Sequence, residues 1–257
     1  MMGRLRLRCP GRREVGDARA AAESGRPAFR AGSFHPKSRL LTSRTERGRY
    51  PNCRPRDAAT LIIVDASSGT PKLLMGKRHM GHKFMPGKFV FPGGRVEPTD
   101  YVASQRLSLP MPAIAKLLRS MRGIAHPARA RALVHAALRE TQEETGLVID
   151  AGALQGASPL VFLARAITPP GRPRRFDTRF FVLPASAIAE RTDIVDGEFS
   201  SIDWLSPAEA RNADLPLITR VILDELEEGL EDGRLFADKR EVPFYFKRGA
   251  CFHRLRL

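Results

Sequence analysis

Short apolar runs separated by Gly, Pro and Ser open the foldable part of the chain, near Arg56. "DAATLIIVDA" (57–66) and "KLLMGKRH" (72–79) flank the turn "SSGTP" and read as a β-hairpin. After the Gly/Pro loop "MGHKFMPGK", the segment "FVFPGG" (89–94) reads as a short strand running into a glycine turn. The periodicity then changes. Ile114, Leu117, Leu118 and Met121 recur at i, i+3, i+4 and i+7, which predicts an amphipathic helix opening after Pro112 and closing at Gly123. A second helix of about five turns is expected from Pro127 to Gly146, with Ala130, Val134, Ala137 and Leu138 as its apolar stripe. Strands are expected at 159–168, 174–184 and 197–207, helices at 206–211 and 215–230, and a last strand or extended tail at "EVPFYFKRG". Strands before, between and after helices predict an α/β (α+β) fold, a mixed sheet with helices on its faces.

The chemistry lies in "RETQEETGLV" at the end of the long helix. Glu140, Glu143 and Glu144 fall at i, i+3 and i+4, so all three carboxylates project from one side. Three like charges within a turn repel, and the helix C-terminus disfavours anions. A hard divalent cation would remove that conflict, because Mg²⁺ prefers carboxylate oxygens. A solvated acidic face is the ordinary outcome for such a run. Arg139 argues for more, since it stands where its fork can hold a carboxylate in one rotamer.

Composition changes the picture in one respect. The 257 residues carry a formal net charge of +15, which suggests a nucleic-acid partner. Residues 1–56, however, hold 15 Lys/Arg against four Asp/Glu, so the body is close to neutral. The charge belongs to residues 1–55, read as a disordered basic tail. A transit-type peptide and a nucleic-acid arm are the functional readings of such a tail; an over-extended start is preferred, and nucleic acid is not the expected partner. No apolar run is long enough to span a membrane. Cys9, Cys53 and Cys251 show neither CxxC nor Cys/His metal spacing, which reads as a reducing compartment without a zinc site. His79 and His82 lack neighbouring ligands and carry little weight as a metal pair.

"RETQEETGL" resembles the second half of the Nudix box, G-x5-E-x7-R-E-U-x-E-E-x-G-U with U a bulky apolar residue. Arg139, Glu140, Glu143, Glu144, Gly146 and Leu147 match, and Thr141 departs at the first U. The first half matches in outline: Gly94, five residues, then Asp100 in place of Glu. Between Asp100 and Arg139 lie 38 residues where the box has seven. The resemblance implies a Nudix α/β/α sandwich over residues 56–257, with a helical insertion at 101–126 and C-terminal helices and tail at 206–257. It also implies Mg²⁺ (or Mn²⁺) held by Glu140, Glu143 and Glu144, with Arg139 orienting them and the Gly93-Gly94 turn near metal and diphosphate. The expected reaction is hydrolysis of a nucleoside diphosphate linked to another moiety, with metals lowering the pKa of the attacking water. Glu198 is the candidate general base from outside the box. Asp100 is a weak metal candidate.

"PGKFVFPGG" (86–94) is similar to part of a pattern in coenzyme A-cleaving members. Phe84, Met85, Pro86, Gly87 and Val90 to Gly94 resemble the peroxisomal-type coenzyme A diphosphatases, as does "FDTRFF" (176–181). Coenzyme A or acyl-coenzyme A is therefore the first substrate expected. An ADP-ribose/NADH-type pyrophosphatase and a non-catalytic nucleotide-binding regulator are the alternatives. Arg78 and Arg179 are candidate phosphate ligands and Phe91 a candidate stacking residue, with core phenylalanines and a surface ion pair as the plainer reading of "RFDTRFF". The chain ends "HRLRL", not in a Ser-Lys-Leu-type signal, so a cytoplasmic location is expected. A homodimer is compatible with all of this. If the two halves form one box, Gly94 and Glu143 should meet although 49 positions separate them.

Overall fold

The computed structural model describes residues 50, 53–82, 85–154, 160–195, 197–236, 240–249 and 251–257. Residues 1–49, 51 and 52 of the basic tail, and Phe84, lie outside these. Strand β1 (Arg56–Asp65) is the hub, because its apolar run is buried on both faces. Leu61 and Ile63 join one core, whereas Ile62 and Val64 join the other, on the opposite side of the pleat. β1 pairs antiparallel with β2 (Lys72–Arg78) and parallel with β7 (Phe176–Pro184). The path continues through β6 (Val161–Ile167) to the hairpin β10 (Pro243–Arg248) and β11 (Cys251–Arg256). At the other side, β3 (Phe89–Val90) and β9 (Phe199–Leu205) pair with β2, while β4 (Gly93–Arg95) pairs with β1. The mixed sheet thus has nine strands, and a two-stranded sheet of β5 (Leu147–Ile149) and β8 (Ile188–Arg191) lies beside it.

Helices cover both faces. On one, α2 (Met111–Leu118) and the long α3 (Pro127–Thr145) supply Ile114, Leu117, Ala130, Leu133, Val134 and Ala137 to the first core. On the other, α5 (Leu217–Glu231), preceded by α4 (Pro207–Asn212), supplies Ile222, Leu223 and Leu226. No helix among the described residues is long and apolar enough to cross a membrane.

Two details go beyond the expectation. Helix α2 stops at Leu118, five residues before Gly123, because Ser120 turns to φ 53°. Met121 therefore packs against the core from a turn. The 101–126 segment, expected as a helical insertion, contributes to the first core, where Ile114 and Leu117 are buried with residues of α3 and the sheet.

Candidate active site

Helix α3 begins at Pro127, which needs no helical N–H partner, and ends at Gly146 in the left-handed conformation with φ 72°. The Gly146 N–H donates to the Gln142 carbonyl (2.8 Å), and its own carbonyl accepts from the Thr192 N–H (2.7 Å). The Val195 N–H donates to the Glu143 carbonyl (3.2 Å). The chain after β8 therefore caps the helix end that carries the glutamates. Thr141, the departure from the apolar pattern, is fully buried; its hydroxyl donates to the Ala137 carbonyl (2.7 Å), so its polarity is satisfied within the helix.

The glycine turn meets this helix. The Gly93 N–H donates to Glu144 Oε2 at 2.9 Å, across 51 positions of sequence. A Cβ added to Gly94 would fall 2.2 to 2.5 Å from the Glu140 carboxylate. The contact thus runs through Glu140 and Glu144. Glu143, the partner expected from sequence, is instead 38% exposed at its side chain and accepts from Arg139 Nη1 (2.7 Å).

The two glycines should respond differently to substitution. At Gly93 an added Cβ meets the Ala59 carbonyl at 2.5 Å and Thr60 Cα at 2.6 Å, both backbone of the central strand. Gly93→Ala is expected to cost about 1–3 kcal/mol in a denaturant titration. At Gly94 the obstacle is the end of a flexible side chain. Gly94→Ala should keep most of its stability and lose activity by displacing the Glu140 carboxylate.

Asp100 is not placed as a metal ligand. It sits in the first turn of α1 (Pro98–Ala103), fully buried, and accepts the Glu97 N–H at 2.7 Å. Arg139 Nε donates to its Oδ1 (3.0 Å) and Arg139 Nη2 to its Oδ2 (3.2 Å), while His135 Nδ1 lies 2.8 Å from Oδ1. These partners hold the Asp100 carboxyl below its usual range against the desolvation that opposes them. Arg139 also reaches Glu140 Oε1 at 3.0 Å, so one guanidinium spans three carboxylates.

The glutamates are electrostatically strained. Burial pushes Glu140 up to about 7; Arg139 opposes the rise, and Glu143 and Glu198 add to it. Burial pushes Glu144 well above the ordinary carboxylate range, with Glu198 and Glu140 adding and the Gly93 N–H opposing. Glu198 thus lies close enough to act on both. It immediately precedes β9 and pairs with Arg78, at the end of β2.

Among the described residues, no group of three or more His, Cys, Asp or Glu is gathered as a ready metal site. Arg139 draws Glu140 and Glu143 towards itself. The donor chemistry nevertheless suits a hard cation. Glu144 Oε1 is buried with no hydrogen-bond partner, and the neighbouring acids are all carboxylates.

Two expected substrate ligands lie elsewhere. Arg179 is fully buried on β7, donating to Asp57 Oδ1 (3.0 Å) and to the Asp177 carbonyl (2.8 Å). It offers no face to a phosphate. The pair expected at the surface is therefore internal, part of a network that the sequence reading missed. Asp57 also binds Arg129, and Asp177 takes a two-pronged contact from Arg165. Arg165 Nη1 in turn donates to the carbonyls of Arg119 and Ser120, and Arg129 Nη1 to that of Arg122, which ties the 101–126 segment to the sheet. The alternation of acids and arginines on strand positions sharing one face was the available signal. Phe91 is 4% exposed and packs in the second core. Arg78 does lie beside the carboxylates, engaged with Glu198. His82 Nδ1 lies 3.1 Å from Arg78 Nη1, and His79 is exposed.

With this geometry in place, comparisons with known proteins agree. Residues 127–226, starting at the first residue of α3, match the NUDIX domain model. Nudix hydrolase 7 of Caenorhabditis elegans is 29% identical over 160 residues, covering 60% of this chain; the chain spans about half (52%) of that relative's length. A NUDIX hydrolase from Alicyclobacillus acidocaldarius shares the fold, with a TM-score of 0.51 at 23% identity over 67% of this chain and 91% of that one. The NUDIX domain of Shewanella oneidensis NrtR, crystallised with ADP ribose, gives a TM-score of 0.45 at 14% identity over 69% of this chain and 89% of its own. Residues 127–226, with the carboxylate helix at their start, are thus similar to the NUDIX domain, and the fold is similar to that of a NUDIX hydrolase.

Proposed function

We propose that this chain is a metal-dependent diphosphatase that hydrolyses a nucleoside diphosphate linked to another moiety. The observation carrying the proposal is the closure of the Gly93-Gly94 turn onto Glu140 and Glu144, with Glu198 beside them. Glu140, Glu143 and Glu144 would hold Mg²⁺ or Mn²⁺, which when bound neutralises diphosphate charge and acidifies a bound water. The protein's own part is to fix the acids. Arg139 clamps Glu140 and Glu143, the Gly93 N–H aims Glu144, and Glu198 stands ready to accept a proton. Coenzyme A or acyl-coenzyme A is the first substrate, supported by the sequence likeness of 84–94. Neither Arg179 nor Phe91 remains in the substrate set, because both are interior.

Product analysis with Mg²⁺ on coenzyme A, ADP-ribose, NADH and capped RNA tests this. Cleavage of coenzyme A to a 3′,5′-ADP half and a phosphopantetheine half is the expected result. Turnover of ADP-ribose or NADH alone would replace the substrate and keep the reaction class. Tight nucleotide binding without cleavage of any compound would identify a non-catalytic regulator.

A further inference from the structure

We propose that Arg78 is a positioning residue for Glu198: its guanidinium holds the Glu198 carboxylate in the face presented to Glu140 and Glu144. This rests on the reading of Glu198 as the base. The geometry makes the pair a built one. The register between β2 and β9 shifts between Lys77 and Arg78, so that Arg78 stands opposite Phe199, beside Glu198. Main-chain bonds fix both partners. The His79 N–H donates to the Glu198 carbonyl (3.1 Å), the Arg78 N–H to the Lys88 carbonyl (2.9 Å), and the Gly87 N–H to the Arg78 carbonyl (3.1 Å). Arg78 Nη1 pairs with Glu198 Oε1, and the two side chains are only 11% and 18% exposed. His82 closes the other side, with Nε2 3.6 Å from Glu198 Oε2 and Nδ1 3.1 Å from Arg78 Nη1.

The need for a clamp follows from the charges. Glu198 is driven away from Glu140 and Glu144 by like-charge repulsion. A free side chain would relieve that by turning to solvent and leave no acceptor above the helix. Arg78 supplies the opposing attraction from the sheet side, and its positive charge also reaches Glu144. A phosphate ligand would instead present an unengaged guanidinium to the cleft. The interaction that Arg78 makes is with an acid of the protein itself.

The test is a double-mutant cycle on Arg78 and Glu198, using whichever panel substrate the wild type cleaves. Arg78→Ala should lower kcat by about 10- to 100-fold, with KM and Mn²⁺ affinity changed by less than about 3-fold. Arg78→Lys should recover most of kcat. In Glu198→Gln, adding Arg78→Ala should cost less than about 2-fold more, because the residue acts through the one already removed. A raised KM with kcat unchanged would return Arg78 to the substrate set and overturn the proposal; so would losses that multiply in the double variant. Thermal melts accompany each variant, and Arg78→Gln replaces Arg78→Ala if the latter melts early. A wild type that cleaves nothing sinks the functional reading itself, and this inference with it; a cleaving wild type with an indifferent Arg78→Ala sinks only the inference.

Discussion

Glu144→Gln is expected to lower kcat by about 10²- to 10⁴-fold while leaving the metal-free protein at least as stable as the wild type. Glutamine keeps an acceptor for the Gly93 N–H and has nearly the shape of the glutamate, so the turn stays closed. What it removes is a charge buried beside Glu140 and Glu198. The sign of the pH effect follows. Both Glu140 and Glu144 have folded-state values raised above the ordinary 4.5, so the folded chain retains protons that the unfolded chain releases. These groups impose no penalty at low pH. Their penalty grows as pH rises through 4.5, levelling near 7 for Glu140 and continuing higher for Glu144. Thermal melts of metal-free protein should therefore fall less steeply with pH in Glu144→Gln than in the wild type. A variant with wild-type turnover would remove Glu144 from the chemistry.

Arg139→Ala should be the most damaging single change to the fold near the site. It strips Asp100, fully buried, of its two charged hydrogen bonds and frees Glu140 and Glu143 to repel one another. Breaking a buried pair from one side costs about 3–5 kcal/mol, measurable by urea titration. Arg139→Lys should not rescue it, because an ammonium cannot span three carboxylates with a rigid fork. Stability equal to wild type would show that the clamp contributes little.

The elements that were readable in the sequence share one property: their signals are local. Helix α3 carries its own start and stop, Pro127 and Gly146, and its apolar stripe. The apolar run of β1 and the spacing of Glu140, Glu143 and Glu144 belong to the same kind. What could not be read depends on pairing across distant sequence. Arg179 was assigned to phosphate because an arginine on a strand looks available; its partner Asp57 lies 122 positions away. Phe91, a candidate stacking residue, is buried in the second core together with residues of α5. The same limit hid the two-stranded sheet of β5 and β8, which joins residues some forty positions apart. Glu198 was identified only by its place before a late strand, and the side chain that holds it emerged from the register of β2 against β9. Asp100 was weighed as a ligand on charge; its burial beside Arg139 makes it an anchor.

The anchor at Asp100 and Arg139 has a consequence for how this chain can vary. The two residues enclose 38 others, of which 127–138 belong to α3 and 101–126 precede it, and their contact is made directly by side chains. Closing a loop of that length instead of seven residues costs only about 1.5 kcal/mol, since the entropy rises with the logarithm of length. Two buried residues of α2, Ile114 and Leu117, are enough to offset it. Length between the two halves of the site is thus thermodynamically cheap, provided both ends of the clasp stay in place. Segments of different size and sequence can be exchanged within 101–126, ahead of α3, while the glutamate helix keeps its own residues.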